Sequence, residues 1–573
     1  GVDFSDEGIY LVSYRYYRHP EMVYNGAPAF FGPLFQLVGY SVVSLRRIKL
    51  ILILISGVGL GWSTANFVHA RPSETPWSDG LETRVAITLF VAAGGFTMYT
   101  WLPQSPGYND LSVLCAMGLA AVVLPALTAQ TANRRWWMAA AGAVSGVAVI
   151  NKWPAGLCMI LVVGAAVALA HGWREVGRDV AWSAGGLALG LVILAVVSGR
   201  FFDRISELRS ASEQITDSMP VWENYLVPYW RNVADVSAMV GGRVWLFLAV
   251  GIALALFAAA RRGMAVGVLL TVGVLLIVQA SISAGTFRGA TQNAGFSQAA
   301  LPLLLVLAGA VWLIARVAGS GGRTGDDADD EVSTTRVRGG ALVLMIGLAG
   351  AHAFGTLNPP LYVIISSGAL CAAAIVMLAF WSVHVWRPAM VPMAALLIVL
   401  PLATERMMVS GLWQHPYLVP TNLYGQSEKL ADVIGYDGLR TDAGTATLLH
   451  NLSTIAREND LVGRPGLSVS TDPGYTLALG LTQPPADLFV GSPEQYPFNG
   501  IVYEARLRTA CSRRLIDPGN PPVILTAGPS APAGLTEILA DCGIAYPADF
   551  DLVMAESPTD SIGVWVPHEV PSG

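Results

Sequence analysis

Three carboxylates lie close together at the start of the chain, in the stretch DFSDEGIYL (3–11). They are Asp3, Asp6 and Glu7. Carboxylates at this spacing can act as a general base, raise one another's pKa by like-charge repulsion, or hold a divalent metal ion. A second interpretation stays open: Ser5 or Asp6 could cap a helix that starts near Glu7, because acidic side chains stabilise the positive end of a helix.

The elements that carry these residues follow from composition. Of 573 residues, 53% are hydrophobic and 13% are charged, against about 25% charged in an average soluble domain. The mean hydropathy is +0.53. The sequence therefore predicts a polytopic α-helical membrane protein rather than a soluble protein with a large core.

Apolar runs long enough to cross about 30 Å of hydrocarbon need roughly 20 residues each. We predict twelve such spans between residues 46 and 408, which together form a transmembrane helical domain. The predicted spans are 48–68, 85–102, 111–130, 136–150, 154–171, 180–198, 244–260, 264–284, 298–315, 340–357, 361–383 and 390–408.

The arginines in the connectors predict the orientation, because cytoplasmic loops of membrane proteins are rich in Lys and Arg. With alternating spans, the basic connectors fall on one side, which we interpret as cytoplasmic. One of them, 316–338, contains the acidic run GDDADDE, which we interpret as a flexible, solvated linker. The opposite side receives residues 1–45, the 199–243 loop, the 287–298 loop and the C-terminal region. The 1–45 loop would then start on the outer side, so we expect a spanning helix ahead of Gly1.

A C-terminal region, 409–573, carries no predicted span and alternates short apolar runs with Pro, Gly and Asp. It contains 18 acidic and 8 basic residues, a net charge of −10, which leaves +4 of the total −6 for residues 1–408. We predict an extracytoplasmic α/β domain with strands over 466–470, 522–526, 549–555 and 561–567 and helices over 443–457 and 534–541. Cys511 and Cys542 both lie in it, and an oxidising compartment would let them form a disulfide.

Several basic residues break the charge rule by lying at the outer surface: Arg46, Arg47, Lys49, Lys152 in NKWP, and Arg288 in GTFRGATQN. Cations there could bind a phosphate group. Lys152 and Arg288 are the preferred candidates. The alternative is that these long side chains reach the interface from helix ends, which Lys and Arg do routinely.

The arrangement resembles the GT-C superfamily of membrane glycosyltransferases, which includes the lipid A aminoarabinose transferases and the protein O-mannosyltransferases. The shared features are a carboxylate pair near the first span, an outer loop of short helices, many further spans and an outer C-terminal domain. DEGIYL (6–11) is similar to the DE-x-x-Y stretch of the aminoarabinose-type enzymes. PAFFGPLF (28–35), PGYNDL (106–111) and AHAFGTLN (351–358) are similar to segments of other bacterial members.

The resemblance implies a GT-C-like enzyme of the bacterial inner membrane. It would move a sugar from a polyprenyl-phosphate donor to an extracytoplasmic glycan, lipid or protein. Asp6 would be the catalytic base, with Glu7 and Asp3 orienting it or helping to hold a divalent metal. Tyr10 and Tyr14 could stack against the sugar, or be ordinary interfacial tyrosines. His352 could contact substrate, although a lone His is more often a packing residue.

Two other functions remain open at this stage. A transporter or lipid flippase with an accessory outer domain would explain the spans, and its expected marks are internal repeats and charged or Gly/Pro-broken helices at mid-membrane. A receptor or assembly scaffold would leave the carboxylates unexplained. The expected partners are the lipid bilayer and lipid-linked sugars. We expect no nucleic-acid partner, and we find no P-loop and no zinc-type spacing of His and Cys in the sequence.

Overall fold

A computed structural model describes most of the chain. The described residues are 3–18, 25–70, 80–99, 103–129, 131–199, 246–253, 263–283, 300–319, 328–355, 363–414, 419–470, 472–482, 507–530, 534–558 and 560–568, with isolated positions at 205, 206, 209, 227, 230, 231, 234 and 504.

The long apolar runs form helices, because a backbone surrounded by hydrocarbon must satisfy its hydrogen bonds within the segment. The helices of residues 3–408 are α1 (Asp6–Arg15), α2 (Ala27–Leu37), α3 (Val42–His69), α4 (Leu81–Gly94), α5 (Tyr108–Thr128), α6 (Thr131–Asn151), α7 (Trp153–His171), α8 (Trp173–Ser198), α9 (Gly263–Ser283), α10 (Ala300–Gly319), α11 (Ala328–Ala351), α12 (Gly368–Val385) and α13 (Met390–Met408). A 3₁₀ turn, Gly95–Tyr99, follows α4 directly.

Nine helical segments within the described residues are long and apolar enough to cross a membrane. The predicted polytopic helical class is therefore confirmed. These segments are Val42–His69, Leu81–Tyr99, Tyr108–Thr128, Trp153–His171, Trp173–Val197, Met264–Ser281, Ala300–Ala318, Ile365–Val385 and Arg387–Gln414.

Three further predicted spans coincide with helices that do not meet this measure. The span predicted over 136–150 lies in α6, and residues 340–351 of the span predicted over 340–357 lie in α11, which ends at Ala351. For the span predicted over 244–260, residues 246–253 are helical.

The interpretation of the acidic linker was partly wrong. Helix α11 begins at Ala328 and includes Asp329, Asp330 and Glu331 of the GDDADDE run. Residues 328–331 of the run are therefore helical, and residues 325–327 lie outside the described part of the chain.

Helix α12 lies at the centre of the bundle. Every residue from Gly368 to Val383 is buried, as expected for a helix that is apolar all round. By contrast, α8 turns large apolar side chains outward, among them Leu189, Val192 and Val196. These outward faces are the surfaces that a bilayer would cover.

At the predicted cytoplasmic side, a buried arginine ties two helices together. Arg134 of α6 donates from Nε to Asp179 Oδ1 of α8 at 3.1 Å, and a second nitrogen bonds Glu175. Arg134 is buried, so this cluster neutralises a charge that hydrocarbon would not tolerate.

The C-terminal region forms the predicted α/β domain. A two-stranded ribbon pairs β1 (Glu428–Lys429) with β2 (Arg440–Thr441). The main sheet has four strands, β3 (Gly466–Ser468), β4 (Val523–Ala527), β5 (Phe550–Glu556) and β6 (Ser561–Pro567). Their order in the sheet is β3-β4-β6-β5, in which β3 and β4 are parallel and the other neighbours are antiparallel. The helices are α14 (Ala443–Glu458), α15 (Tyr475–Ala478) and α16 (Leu535–Asp541).

Alternating side chains of the sheet pack on opposite faces, because successive strand residues point to opposite sides. Leu525 of β4 shares a buried cluster with Leu449 of α14. Ile524, its neighbour, shares a second cluster with Leu539 of α16. The sheet is therefore covered by a helix on each face.

A disulfide joins Cys511 to Cys542 at the end of α16, with the two Cα atoms 4.8 Å apart. This separation is within the range that a disulfide requires. The bridge links the helical segment at 507–512 to the α16 side of the sheet.

We expect the bridge to stabilise the C-terminal domain by about 3 kcal/mol, since it closes a loop of 31 residues. Cys511→Ser should lower the melting temperature of the purified protein, and reductant should lower that of the wild type but not of the variant. Cys158→Ser, a thiol within α7, is the matched control. An equal response of both variants to reductant would contradict the bridge.

The first loop and the C-terminal domain contact each other, as the Gly474 backbone N–H donates to the Phe4 carbonyl at 2.9 Å. They must therefore share one side of the bilayer, which the charge pattern predicts to be the outer side. Cysteines placed at the exposed Arg18 and Ser530 should react with an impermeant maleimide in intact spheroplasts. A cysteine at the exposed Arg174 should react only after permeabilisation. Labelling of positions 18 and 530 from opposite sides would refute this topology.

Candidate active site

Asp3 caps the first helix. Its Oδ2 accepts from the Glu7 backbone N–H at 3.1 Å, and its Oδ1 accepts from the backbone N–H and hydroxyl of Ser5 at 2.9 and 2.5 Å. The Asp3 carbonyl also accepts from Gly8 N–H at 3.0 Å. The capping interpretation therefore holds for this carboxylate cluster, but the capping residue is Asp3 and not Ser5 or Asp6.

Glu7 is buried in an ion pair with Arg46 of α3. Arg46 donates Nε to Glu7 Oε1 at 3.0 Å and Nη2 to Oε2 at 2.7 Å, and the Ser105 backbone N–H donates to Oε1 at 2.8 Å. Burial alone would raise the pKa of Glu7, but the Arg46 guanidinium and these hydrogen bonds outweigh it and hold the pKa below its ordinary value. Glu7 is therefore a stable anion that joins the first loop to α3.

The pKa of Asp3 shifts in the opposite direction from that of Glu7. Burial, together with the negative charge of Asp6, raises its pKa well above the usual range despite the hydrogen bond from Ser5. Asp6 itself is only partly buried. Of the three carboxylates, Asp6 is thus the one whose position on α1 leaves it accessible.

A second buried ion pair lies next to the first. Lys49 of α3 contacts both carboxylate oxygens of Asp110 at 3.0 Å and donates to the Pro103 carbonyl at 2.7 Å. Its Nζ also lies 5.0 Å from the centre of the Tyr99 ring. Asp110 in turn accepts from the Gly107 backbone N–H at 2.8 Å, which caps α5. Lys49 therefore departs from the charge rule because it forms a buried ion pair with Asp110.

Lys152 lies buried between α6 and α7. Its Nζ donates to the His352 carbonyl at 3.1 Å and to Asn109 Oδ1 at 3.4 Å, and it lies 5.7 Å from the centre of the Tyr108 ring. These acceptors are neutral. Within the described part of the chain, Lys152 has no carboxylate partner.

His352 lies beside Lys152 but does not offer it a ring nitrogen. Its side chain is fully buried, and neither ring nitrogen has a hydrogen-bond partner among the described residues. The backbone of His352 thus belongs to the Lys152 environment, whereas a role of its imidazole toward substrate stays a prediction.

The structure gives Tyr10 and Tyr14 packing contacts instead of an open stacking surface. The Tyr10 ring lies edge-on to Tyr108, with ring centroids 6.0 Å apart. The Tyr14 hydroxyl donates to the Pro106 carbonyl at 2.7 Å, and its side chain is fully buried. Both rings therefore pack α1 against residues 106–108, and their stacking against a sugar stays a prediction.

The predicted outer cations that the structure describes have different surroundings. Arg46 is committed to Glu7 and, through Nη1, to Gln104 Oε1 at 2.7 Å. Arg47 is exposed on α3. Arg288 lies outside the described residues. Among the predicted phosphate ligands in the described ranges, Lys152 is the one that is both buried and bonded to neutral groups.

Sequence reasoning missed the partners supplied by residues 103–110. We call this stretch, PQSPGYND, the bridging segment. It provides Ser105 and Gln104 to the Glu7–Arg46 pair, Asp110 to Lys49, and Asn109 to Lys152. A signal was present: PGYND combines a turn with an acid at a helix start, next to two unexplained cations on α3.

The carboxylate cluster does not fit a divalent metal. Glu7 directs both oxygens at the positively charged Arg46, and Asp3 directs its oxygens at N–H and O–H donors. In the described ranges, no group of three or more His, Cys, Asp or Glu side chains could hold a metal ion.

No protein-family model matches the chain, and no curated protein matches it. The chain is similar to the crystal structure of ArnT from Cupriavidus metallidurans in the apo state, with 14% identity, a TM-score of 0.30, and coverage of 90% of this chain and 83% of that one. Similarity at this level carries no argument about function.

The Glu7–Arg46 pair should matter for stability. Glu7→Gln leaves Arg46 without its anion, and loss of one partner of a buried pair costs about 3–5 kcal/mol. We expect a lower melting temperature at neutral pH, with Glu82→Gln, an exposed carboxylate on α4, as control. Because the pKa of Glu7 is lowered on folding, its contribution is present above the unfolded value of 4.5 and disappears as the pH falls through the folded value. A melting curve of the variant equal to that of the control would refute the role.

Proposed function

We propose that this chain is a membrane glycosyltransferase that moves a sugar from a polyprenyl-phosphate donor to a hydroxyl of an extracytoplasmic glycan, lipid or protein. The observation that carries the proposal is the buried, uncompensated charge of Lys152 close to the helix that bears Asp6. A bacterial inner-membrane location, with the C-terminal domain outside, is part of the same proposal.

Lys49 and Lys152 are both buried in the helix bundle, but only Lys49 has an anionic partner among the described residues. Lys49 is neutralised by Asp110, as buried charges normally are. Lys152 is equally enclosed but meets a carbonyl and an amide oxygen. A buried ammonium without an anion is unfavourable by several kcal/mol. A bound phosphate would supply the missing charge, and a lipid phosphate is the anion that a membrane delivers to this depth.

An aromatic pair connects the helix that bears Asp6 to Lys152. Tyr10 lies one helical turn after Asp6, so the two share a face of α1. The Tyr10 and Tyr108 ring centroids are 6.0 Å apart, and Lys152 Nζ lies 5.7 Å from the Tyr108 centre. These contacts support a site that uses Asp6 as base and Lys152 as phosphate ligand.

This arrangement supports transfer by direct displacement. An acceptor hydroxyl attacks the anomeric carbon of the sugar, its proton passes to the Asp6 carboxylate, and the bond from that carbon to the phosphate oxygen breaks. The released polyprenyl phosphate keeps the electron pair, and Lys152 stabilises its charge. Asp3, which caps α1 behind Asp6, and Glu7, which holds Arg46, keep the helix in place.

Asp6→Asn tests the base. The amide cannot accept the hydroxyl proton, so transfer should fall by about 10²-fold or more. Folding should be unaffected, because Asp3 provides the helix cap. Asp432→Asn, an exposed carboxylate of the C-terminal domain, is the control. The assay is transfer from a polyprenyl-phosphate sugar by purified protein in liposomes, with lipid-linked glycans compared in cells that do and do not express the gene.

Asp6→Asn also distinguishes a glycosyltransferase from a lipid flippase, which is the main alternative function. A flippase would move lipid-linked sugar across sealed vesicles without breaking a glycosidic bond, and Asp6→Asn would leave that movement intact. Full transfer activity in Asp6→Asn, or lipid movement without any transfer by the wild type, would refute the glycosyltransferase.

Lys152→Met tests the phosphate site. Removal of a buried charge that has no anion should leave the melting temperature of the ligand-free protein unchanged or raise it. Lys49→Met should lower it, because Asp110 is left unpaired. Polyprenyl phosphate at about 100 times its Kd should stabilise the wild type by about 2.7 kcal/mol. It should not stabilise Lys152→Met, and an equal thermal shift in that variant would contradict the site.

A further inference from the structure

We propose that the C-terminal domain is a positioning element of the active site, which holds α1 at both ends through the segment 474–481. The inference rests on the proposed function in that it assigns α1 the catalytic carboxylate. It gives the domain a role in catalysis beyond covering the membrane domain.

The first contact lies at the start of α1. Gly474 N–H donates to the Phe4 carbonyl at 2.9 Å, between the capping residue Asp3 and Asp6. Gly8 and Gly474 lie back to back. A Cβ on Gly8 would lie 2.6 Å from Gly474 N, and one on Gly474 would lie 3.1 Å from the Gly8 Cα and 2.8 Å from the Tyr436 hydroxyl. The two backbones can approach this closely because neither residue has a side chain.

Phe4 anchors the contact. Its ring stacks on Tyr475 at a centroid distance of 4.5 Å and meets Tyr436 edge-on at 5.6 Å. Tyr436 is fully buried, and its hydroxyl donates to the Gly474 carbonyl at 2.8 Å. Phe4 is therefore enclosed by the domain, and the turn that receives it is braced from within the domain.

A second contact lies just past the end of α1. The Tyr16 hydroxyl donates to the Leu481 carbonyl at 2.6 Å. Leu481 follows α15, whereas Gly474 precedes it, so one short stretch of the C-terminal domain reaches both ends of α1. A helix fixed at both ends keeps a definite rotation about its axis, and this rotation determines where Asp6 points.

The electrostatic environment of Tyr436 agrees with the contact between the C-terminal domain and α1. Burial raises the pKa of Tyr436, and the negative charges of Glu7 and Asp3 raise it further. This phenol of the C-terminal domain thus lies within the electric field of the carboxylate cluster.

Two pairs of variants test the proposal. Gly474 has φ −57°, which any residue adopts, so Gly474→Ala acts through its close approach to Gly8, Phe4 and the Tyr436 hydroxyl and not through backbone strain. Gly519→Ala, in an exposed turn of the same domain, is its control. Tyr16→Phe removes the Leu481 bond, and its control is Tyr17→Phe, which removes a bond to Gln36 of α2.

The first measurement is hydrogen exchange of full-length protein in detergent, followed by mass spectrometry. Gly474→Ala and Tyr16→Phe should speed exchange in the α1 peptide by up to about tenfold, the scale of one lost hydrogen bond. Exchange in α14 should stay unchanged, and the controls should match the wild type. Unchanged α1 exchange in both test variants would overturn the proposal, as would equal effects of Tyr16→Phe and Tyr17→Phe.

The second measurement is kinetic. A mispositioned base lowers kcat while the KM for the polyprenyl-phosphate sugar stays the same, because Lys152 is untouched. An unchanged kcat in variants whose α1 exchange has increased would overturn the positioning role. The exchange experiment needs no substrate, so it tests the contacts between α1 and the C-terminal domain by itself. If the proposed function is wrong, the wild type shows no transfer whatever the exchange rates are, so the two failures can be told apart.

Discussion

The buried ion pair between Glu7 and Arg46 is the contact on which the arrangement of α1 against the helix bundle depends. It joins a helix outside the membrane domain to α3, and the Ser105 N–H closes it from the bridging segment. The same segment supplies Asp110 to Lys49 and Asn109 to Lys152. Residues 103–110, which end in the first turn of α5, thus contact three cations: Asp110 neutralises Lys49, whereas Gln104 and Asn109 give Arg46 and Lys152 neutral acceptors. The carboxylate helix can be held rigidly because this network leaves it little freedom to tilt.

Charge compensation also separates structural from functional residues here. Glu7, Arg46, Lys49 and Asp110 are charged groups that neutralise one another, and their ion pairs hold helices together. Lys152, by contrast, is enclosed among neutral acceptors. In a medium of low dielectric, a charge without a counter-ion is unfavourable, so a bound anion would stabilise it. The proposed phosphate site rests on this difference between the two buried lysines.

The fold was largely predictable from the sequence, whereas the roles within the site were not. Spans and strands depend on local patterns: the run that becomes α3 is long and apolar, and β5 and β6 show the expected β-rich composition. Ion partners depend on contacts between distant residues, as Ser105 bonds Glu7 across 98 positions. The carboxylates and Lys152 could therefore be selected as candidates by residue type and location. That Asp3 caps the helix and Arg46 is committed to Glu7 required the three-dimensional arrangement.

The pairing of Lys49 with Asp110 has a consequence for biogenesis. Asp110 follows Lys49 by 61 residues, so α3 leaves the ribosome well before its counter-ion does. A lysine within a spanning helix is unfavourable until it is paired or reaches the interface. During insertion, α3 must therefore keep Lys49 turned toward headgroups and water, and it can settle into its final depth only after α5 arrives. We therefore expect the ends of α3 and α5 that carry Lys49 and Asp110 to complete their insertion together.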